Sequence, residues 1–168
     1  MASRPPGSFR RLIAAEAGAL LLVLSGCAQL PTVAATGISP IPTLQARIWV
    51  YRQPESSAIP ARPYVSLNGK IAGIADLGGA FYRDVPPGHY HITVDSVGTD
   101  VNQSSDVTLA PGQDAYIKIV QLDNWAESDW EPTFPTFYAW LMPPPTGRAE
   151  IQINQFHGGG DLSAAPAS

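Results

Sequence analysis

From Arg47 onward, apolar residues recur at every second position in short runs separated by turn residues, a period that predicts strands rather than helices. The first run is "RIWVYR" (47–52), with Ile48 and Val50 on one face and Trp49 and Tyr51 on the other. Bulk on both faces is expected where one face packs on a core and the other is covered by later chain. "PYVSLNGKIAGIAD" (63–76) reads as a hairpin turning at Asn68 and Gly69. A two-residue loop sets Ser66 opposite Ile71 and Leu67 opposite Lys70, mixing polar and apolar on each face. A three-residue loop of Leu67, Asn68 and Gly69 sets Val65 opposite Ile71 and Ser66 opposite Lys70, and is the preferred register. "AFYRDV" (80–85) is a short strand closed by Pro86, Pro87 and Gly88. "HYHITVDSV" (89–97) alternates, with Tyr90, Ile92 and Val94 inward and His89, His91, Thr93 and Asp95 outward. In "DVTLAPGQDAYIKIVQL" (106–122), Val107 and Leu109 precede a turn at Pro111 and Gly112. Ala115, Ile117 and Ile119 then face one way and Tyr116, Lys118 and Val120 the other, which predicts a second hairpin.

The succession of an "NGK" hairpin, "VPPGHYHITV" and "LAPGQDAYIKI" resembles small bacterial β-sandwich modules of the PEGA-like and carboxypeptidase-regulatory-like kind, among them lipoproteins carrying such a domain of unknown function. The resemblance covers about residues 46–121 and rests largely on turn chemistry. It implies an all-β fold, a small antiparallel β-sandwich (PEGA-like or prealbumin-like) assigned to 46–122, in an envelope setting. It supplies no catalytic residues.

Residues 123–156 form a C-terminal aromatic-rich extension, in which Asp123, Glu127, Asp129 and Glu131 are interleaved with Trp125, Trp130, Phe134, Phe137, Tyr138 and Trp140. Two readings stand. In one, the extension packs over an exposed sheet face, and "FYAWLM" and "EIQINQF" add strands that cap the edges. In the other, some of the rings form a contact surface for a partner protein or glycan, anchored by Trp125 and Trp130. Residues 157–168, "HGGGDLSAAPAS", read as a disordered tail.

The amino-terminal stretch follows a different grammar. Arg4, Arg10 and Arg11 precede an apolar run over Ala17 to Leu24, the layout of a secretion signal occupying residues 1–26. Counted from Leu12 to Leu24 as a helix, it reaches roughly 20 Å, short of the roughly 30 Å hydrocarbon layer. Leu24, Ser25, Gly26 and Cys27 resemble the lipobox of bacterial lipoproteins, whose cysteine receives a diacylglyceryl group and becomes the acylated amino terminus after cleavage. Cys27 is the single cysteine in the chain, so an intramolecular disulfide is excluded. Two or three acyl chains, at about 0.8 kcal/mol per buried methylene, give a lasting anchor. Ala28 stands where an aspartate would favour inner-membrane retention, so the resemblance implies a lipid anchor in the outer membrane, facing the periplasm. Residues 27–45, the lipidated cysteine followed by "AQLPTVAATGISPIPTLQ", have three prolines and no charge and read as an extended tether, whose last eighteen residues reach up to about 60 Å.

Composition narrows the function. Charged residues make up 14% of the 168, with 17 prolines and 15 glycines, which disfavours helical bundles. Removing residues 1–26 leaves seven basic and thirteen acidic residues, a net charge of −6 that argues against nucleic acid and against electrostatic docking to anionic lipid. His89 and His91 share one strand face, but a zinc site wants three or four ligands and the third histidine, His157, lies far along the chain. The "HGGG" at 157–160 has no G-x-S-x-G partner, and no phosphate-cradling or dinucleotide motif occurs. The expectation is a membrane-anchored envelope lipoprotein whose sandwich is a non-catalytic binding or structural module without cofactor. The alternative is an envelope hydrolase, or another enzyme, that uses the extension as a pocket wall.

Overall fold

The computed structural model describes residues 29–56, 58, 60–123 and 135–162, and shows an all-β sandwich with one short helix. Among the described residues nine strands build it: β1 (Ala46–Tyr51), β2 (Tyr64–Leu67), β3 (Lys70–Ile74), β4 (Gly79–Val85), β5 (Gly88–Val94), β6 (Ser105–Leu109), β7 (Asp114–Asp123), β8 (Pro135–Met142) and β9 (Gln155–Phe156). Between β8 and β9 lie the helix α1 (Pro144–Glu150) and a 3₁₀ turn over Ile151–Ile153. One sheet has the order β8-β7-β1-β4-β9, the other β3-β2-β5-β6. Pairing is antiparallel except at β1 with β7 and β4 with β9. Inward alternation from both sheets supplies the core: Ile48, Val50, Val65, Leu67, Phe81, Val85, Ile92, Ile117 and Ile119. Each such side chain contributes about 1.5–3 kcal/mol when fully buried.

The alternation read from the sequence holds on β1, β5 and β7, but two connections differ from expectation. The Asn68-Gly69 hairpin uses the two-residue loop, pairing Leu67 with Lys70 and Ser66 with Ile71. Asn68 (φ 50°) and Gly69 (φ 77°) both adopt the left-handed conformation that such a primed turn demands. A shift between Val65 and Ser66 then restores the facing, so that Val65 meets Gly73 and Tyr64 meets Ile74. The bulge removes the objection to the shorter loop. The second correction concerns β6 and β7, which form no hairpin: β6 pairs with β5 in one sheet, and β7 lies between β1 and β8 in the other. The turn Ala110–Gln113 instead carries the chain across the core, with Gly112 (φ 78°) donating to the Gln45 carbonyl. A Pro-Gly turn serves a hairpin and a layer crossing equally well.

Beyond residue 122 the sandwich continues. β8 pairs with β7 from Tyr116↔Met142 to Asp123↔Pro135, and Phe137 and Ala139 belong to the same core as β1. "EIQINQF" contributes only two residues of strand. Pro144 and Pro145, at the first positions of α1, have φ fixed for a helix and need no donor there. The helix lies on β7, with Gly147 against the Tyr116 ring, where a Cβ would come within 2.3 Å of side-chain carbon.

The flanking segments also depart from expectation. The tether is docked from Pro31 onward: Phe156 N–H donates to the Pro31 carbonyl (2.8 Å), Val33 N–H to Asn154 (2.8 Å), and Thr32 bridges Gln155. Residues 157–162 of the expected tail are docked as well. His157 N–H donates to Ala80, while Tyr82 and Asp84 N–H donate to Gly158 and Gly160. This pairing satisfies the free edge of β4. Glycine makes the approach feasible, since a Cβ at Gly159 would fall 2.1 Å from the Tyr82 ring.

Candidate functional site

Together these segments cover the outer face of β1, β4 and the start of β7 in the five-stranded sheet. The buried apolar residues of β1, β4 and β7 that point away from the sandwich core include Trp49, Tyr51, Ala80, Tyr82 and Tyr116. They form a second core with Val33 and Ile151, against which Phe156 also packs. Trp49 and Tyr82 have ring centroids 4.9 Å apart, and Tyr82 stacks on Phe156 at 5.8 Å, within the range of favourable aromatic pairs.

One buried ion pair anchors this layer. Arg47 on β1 lies opposite Asp84 on β4 and grips it with two hydrogen bonds, Nε to Oδ1 at 2.7 Å and Nη2 to Oδ2 at 3.1 Å. Arg47 Nη1 donates to the Ser39 carbonyl at 2.8 Å, and the guanidinium carbon sits 3.8 Å from the centre of the Tyr82 ring. A single side chain thus joins β1, β4 and the incoming chain. Asn154, fully buried, donates to the carbonyls of Arg52 (2.7 Å) and Gly79 (3.1 Å) and fixes the outgoing chain.

Between the docked segment 33–41 and α1 an open cleft of about 450 Å³ remains, floored by Trp49, Asp114 and Tyr116 and edged by Arg148. A second depression of about 580 Å³ opens beside β6, β7 and the end of β8, lined by Leu109, Ala115, Leu141 and Met142. Asp114 and Arg148 border both. Burial pushes the Asp114 carboxyl above its usual range, against the pull of Arg148 and Arg47 and of the hydrogen bond donated by the Trp49 indole. Arg148 Nη2 stands 3.5 Å from Asp114, and its Nε donates to the Tyr116 hydroxyl at 3.2 Å. Burial likewise raises the Tyr116 phenol. Behind them Glu150 accepts from Tyr51 (2.8 Å) and pairs with Lys118 (3.0 Å). Partial burial favours a higher Glu150 pKa, but the hydrogen bonds from Tyr51 and Lys118 outweigh it and hold the carboxyl below its usual range. Aromatic floor, carboxylate and guanidinium make a set suited to holding a ligand with one flat apolar part and one polar end.

The residues singled out from the sequence fall elsewhere. Cys27, the lipobox residues Leu24, Ser25 and Gly26, and both Trp125 and Trp130 lie outside the described residues. His89 and His91 project together from β5 as expected and share Asp106 Oδ1, at 3.2 and 2.9 Å. All three are exposed, and hydrogen bonding from His91 first, then His89, holds the Asp106 carboxyl low. Among the described residues no group of three or more His, Cys, Asp or Glu side chains is placed to hold a metal ion, and no helix is long and apolar enough to cross a membrane. Sequence reasoning passed over Asp114, Arg148 and the buried arginines. The available signal was charge inside otherwise apolar strands, Arg47 in "RIWVYR" and Arg83 with Asp84 in "AFYRDV". Compared with known proteins, the chain matches no family model and no curated protein.

Proposed function

We propose that this chain is a bacterial envelope lipoprotein, held by acyl groups on Cys27 in the outer membrane and facing the periplasm, with its β-sandwich acting as a non-catalytic binding or structural module. The lipobox of Leu24, Ser25, Gly26 and Cys27 and the PEGA-like order of turns support the address. The observation that carries the reading of the module is the docking of the chain at Pro31. Four residue steps separate Cys27 from Pro31, a reach of at most about 14 Å, so the domain is kept at the bilayer surface instead of on a long stalk. The Asp114–Arg148 cleft, bordered by that same incoming segment, would then open close to the membrane and is the natural place for an envelope partner to engage.

Replacing Cys27 with serine tests the anchor. The variant is expected to accumulate as uncleaved precursor and to leave the detergent phase on Triton X-114 partitioning. Mature, detergent-phase Cys27→Ser protein would overturn the proposal.

A further inference from the structure

Three arginines are buried in this sandwich, and they are not equivalent. Arg47 has Asp84, and Arg52 donates to the Ala61 carbonyl (2.7 Å) and to Gln121 (2.9 Å). Arg83 is only 7% exposed and has no carboxylate at ion-pair distance among the described residues. It occupies an inward position of β4, between Phe81 and Val85 and opposite Ile48 on β1, where alternation calls for an apolar side chain. Its Nη1 donates to the neighbouring Tyr82 carbonyl at 2.9 Å, while Nε is buried with no partner. Its guanidinium carbon lies 5.1 Å from the centre of the Phe81 ring, a partial compensation. Burial still works against the charge and a guanidinium does not give up its proton in a protein, so a buried cation with no carboxylate partner among the described residues carries a cost.

The side chain borders a cavity of about 190 Å³ in the mouth between β3 and β4, walled by Gly73, Ile74 and Phe81. Gly73 is part of the construction, because a Cβ there would lie 2.7 Å from the Phe81 ring. At the rim stand Arg62, Asp76 and His157. Asp76 accepts from Arg62 through both carboxylate oxygens and lies 3.1 Å from His157 Nδ1, so it is committed to the rim. Two guanidinium groups against one carboxylate leave the cavity with a surplus of positive charge. Its volume is well below the roughly 300 Å³ at which pockets for drug-sized molecules begin.

We propose that this cavity is a binding site for a compact oxyanion, a carboxylate or phosphate group, held by Arg83 with Arg62 and His157 at the entrance. Such a group supplies the two in-plane acceptor oxygens that a guanidinium edge is built to meet. The site is on the edge opposite β8 and is separate from the Asp114–Arg148 cleft. It does not depend on the lipid anchor.

The test uses the full mature chain in detergent, with sodium phosphate and sodium acetate titrated against sodium chloride at matched ionic strength. A saturable rise in Tm of a few degrees is expected at about ten times the Kd, with matching heat in calorimetry. Phosphate alone, acetate alone, or both producing the rise supports the site and tells which oxyanion it prefers. Arg83→Met keeps the aliphatic stem and removes the charge. It is expected to raise the anion-free Tm and to abolish the anion-dependent increment. Should Arg83→Met fail to fold, the double variant Arg62→Ala/His157→Ala is expected to weaken anion affinity at least fivefold while Arg83 stays in place. No rise beyond chloride in the wild type, or an equal rise in the variants, would overturn the proposal and leave Arg83 a structural residue only.

Discussion

On the four-stranded sheet, β5 turns Tyr90 and Ile92 into the core and leaves His89 and His91 in water. On the five-stranded sheet, β1 and β4 are buried along their whole length, on both faces. The first sheet needs one partner layer, the second needs two, and the second layer is assembled from pieces far apart in the sequence: residues 31–39, Ile151 and the stretch 154–161. A strand with bulk on both faces is therefore a request for additional chain, and here the segments expected to be a tether and a tail answer it.

Removing a charge from each sheet should separate the two most sharply. Asp84→Ala leaves the Arg47 guanidinium buried without its partner, and is expected to cost about 3–5 kcal/mol in urea unfolding. Asp106→Ala on the other sheet breaks its contacts with His89 and His91, which are exposed on both sides, and should not move the midpoint measurably. If the two variants proved equally mild, the second layer would not be holding the fold together.

A methyl group placed in the outer layer gives the next largest effect. Gly159→Ala drives a Cβ into Tyr82, and Gly147→Ala drives one into Tyr116. Each is expected to cost about 1–3 kcal/mol. Gly159→Ala should also open residues 157–162 to limited proteolysis, while the β2–β3 hairpin remains resistant.

These contrasts also show what could be read in advance. Alternation alone placed Tyr90, Ile92, Ile117 and Ile119 in the core, and the paired bulk of Ile48 with Trp49 indicated a covered second face. Residues 31–39 gave no such signal, because Val33 and Ile38 pack singly on the outer layer and the backbone is held at Pro31 and Val33, with no periodic face. The glycines at 158–160 look like disorder in a sequence, yet in the structure Gly159 gives clearance for Tyr82 while Gly158 (φ 113°) and Gly160 (φ 133°) adopt backbone that favours glycine. The Pro111-Gly112 turn was visible, but its direction depends on β1 and β8 taking both edges of β7. At the cleft, Asp114 and Arg148 are brought together only by the packing of α1 on β7.

A smaller, pH-dependent effect is expected at Glu150. Its folded carboxyl titrates below the unfolded value of about 4.3, so its contribution is fully present above that value and is lost as pH falls through the folded one. Wild type should thus exceed Glu150→Gln in stability at pH 6, with the gap narrowing as the pH falls below the unfolded value. A gap independent of pH would mean that the Tyr51 and Lys118 contacts do not act through the charge.

Amide hydrogen exchange on the intact chain tests the docked outer layer most directly. The account predicts that peptides spanning Val33 and Phe156, and the Tyr82 and Asp84 amides bonded to Gly158 and Gly160, exchange as slowly as β1. Exchange of residues 31–36 and 155–161 at unprotected rates, with β1 still protected, would contradict it and return both segments to the role of free tether and tail.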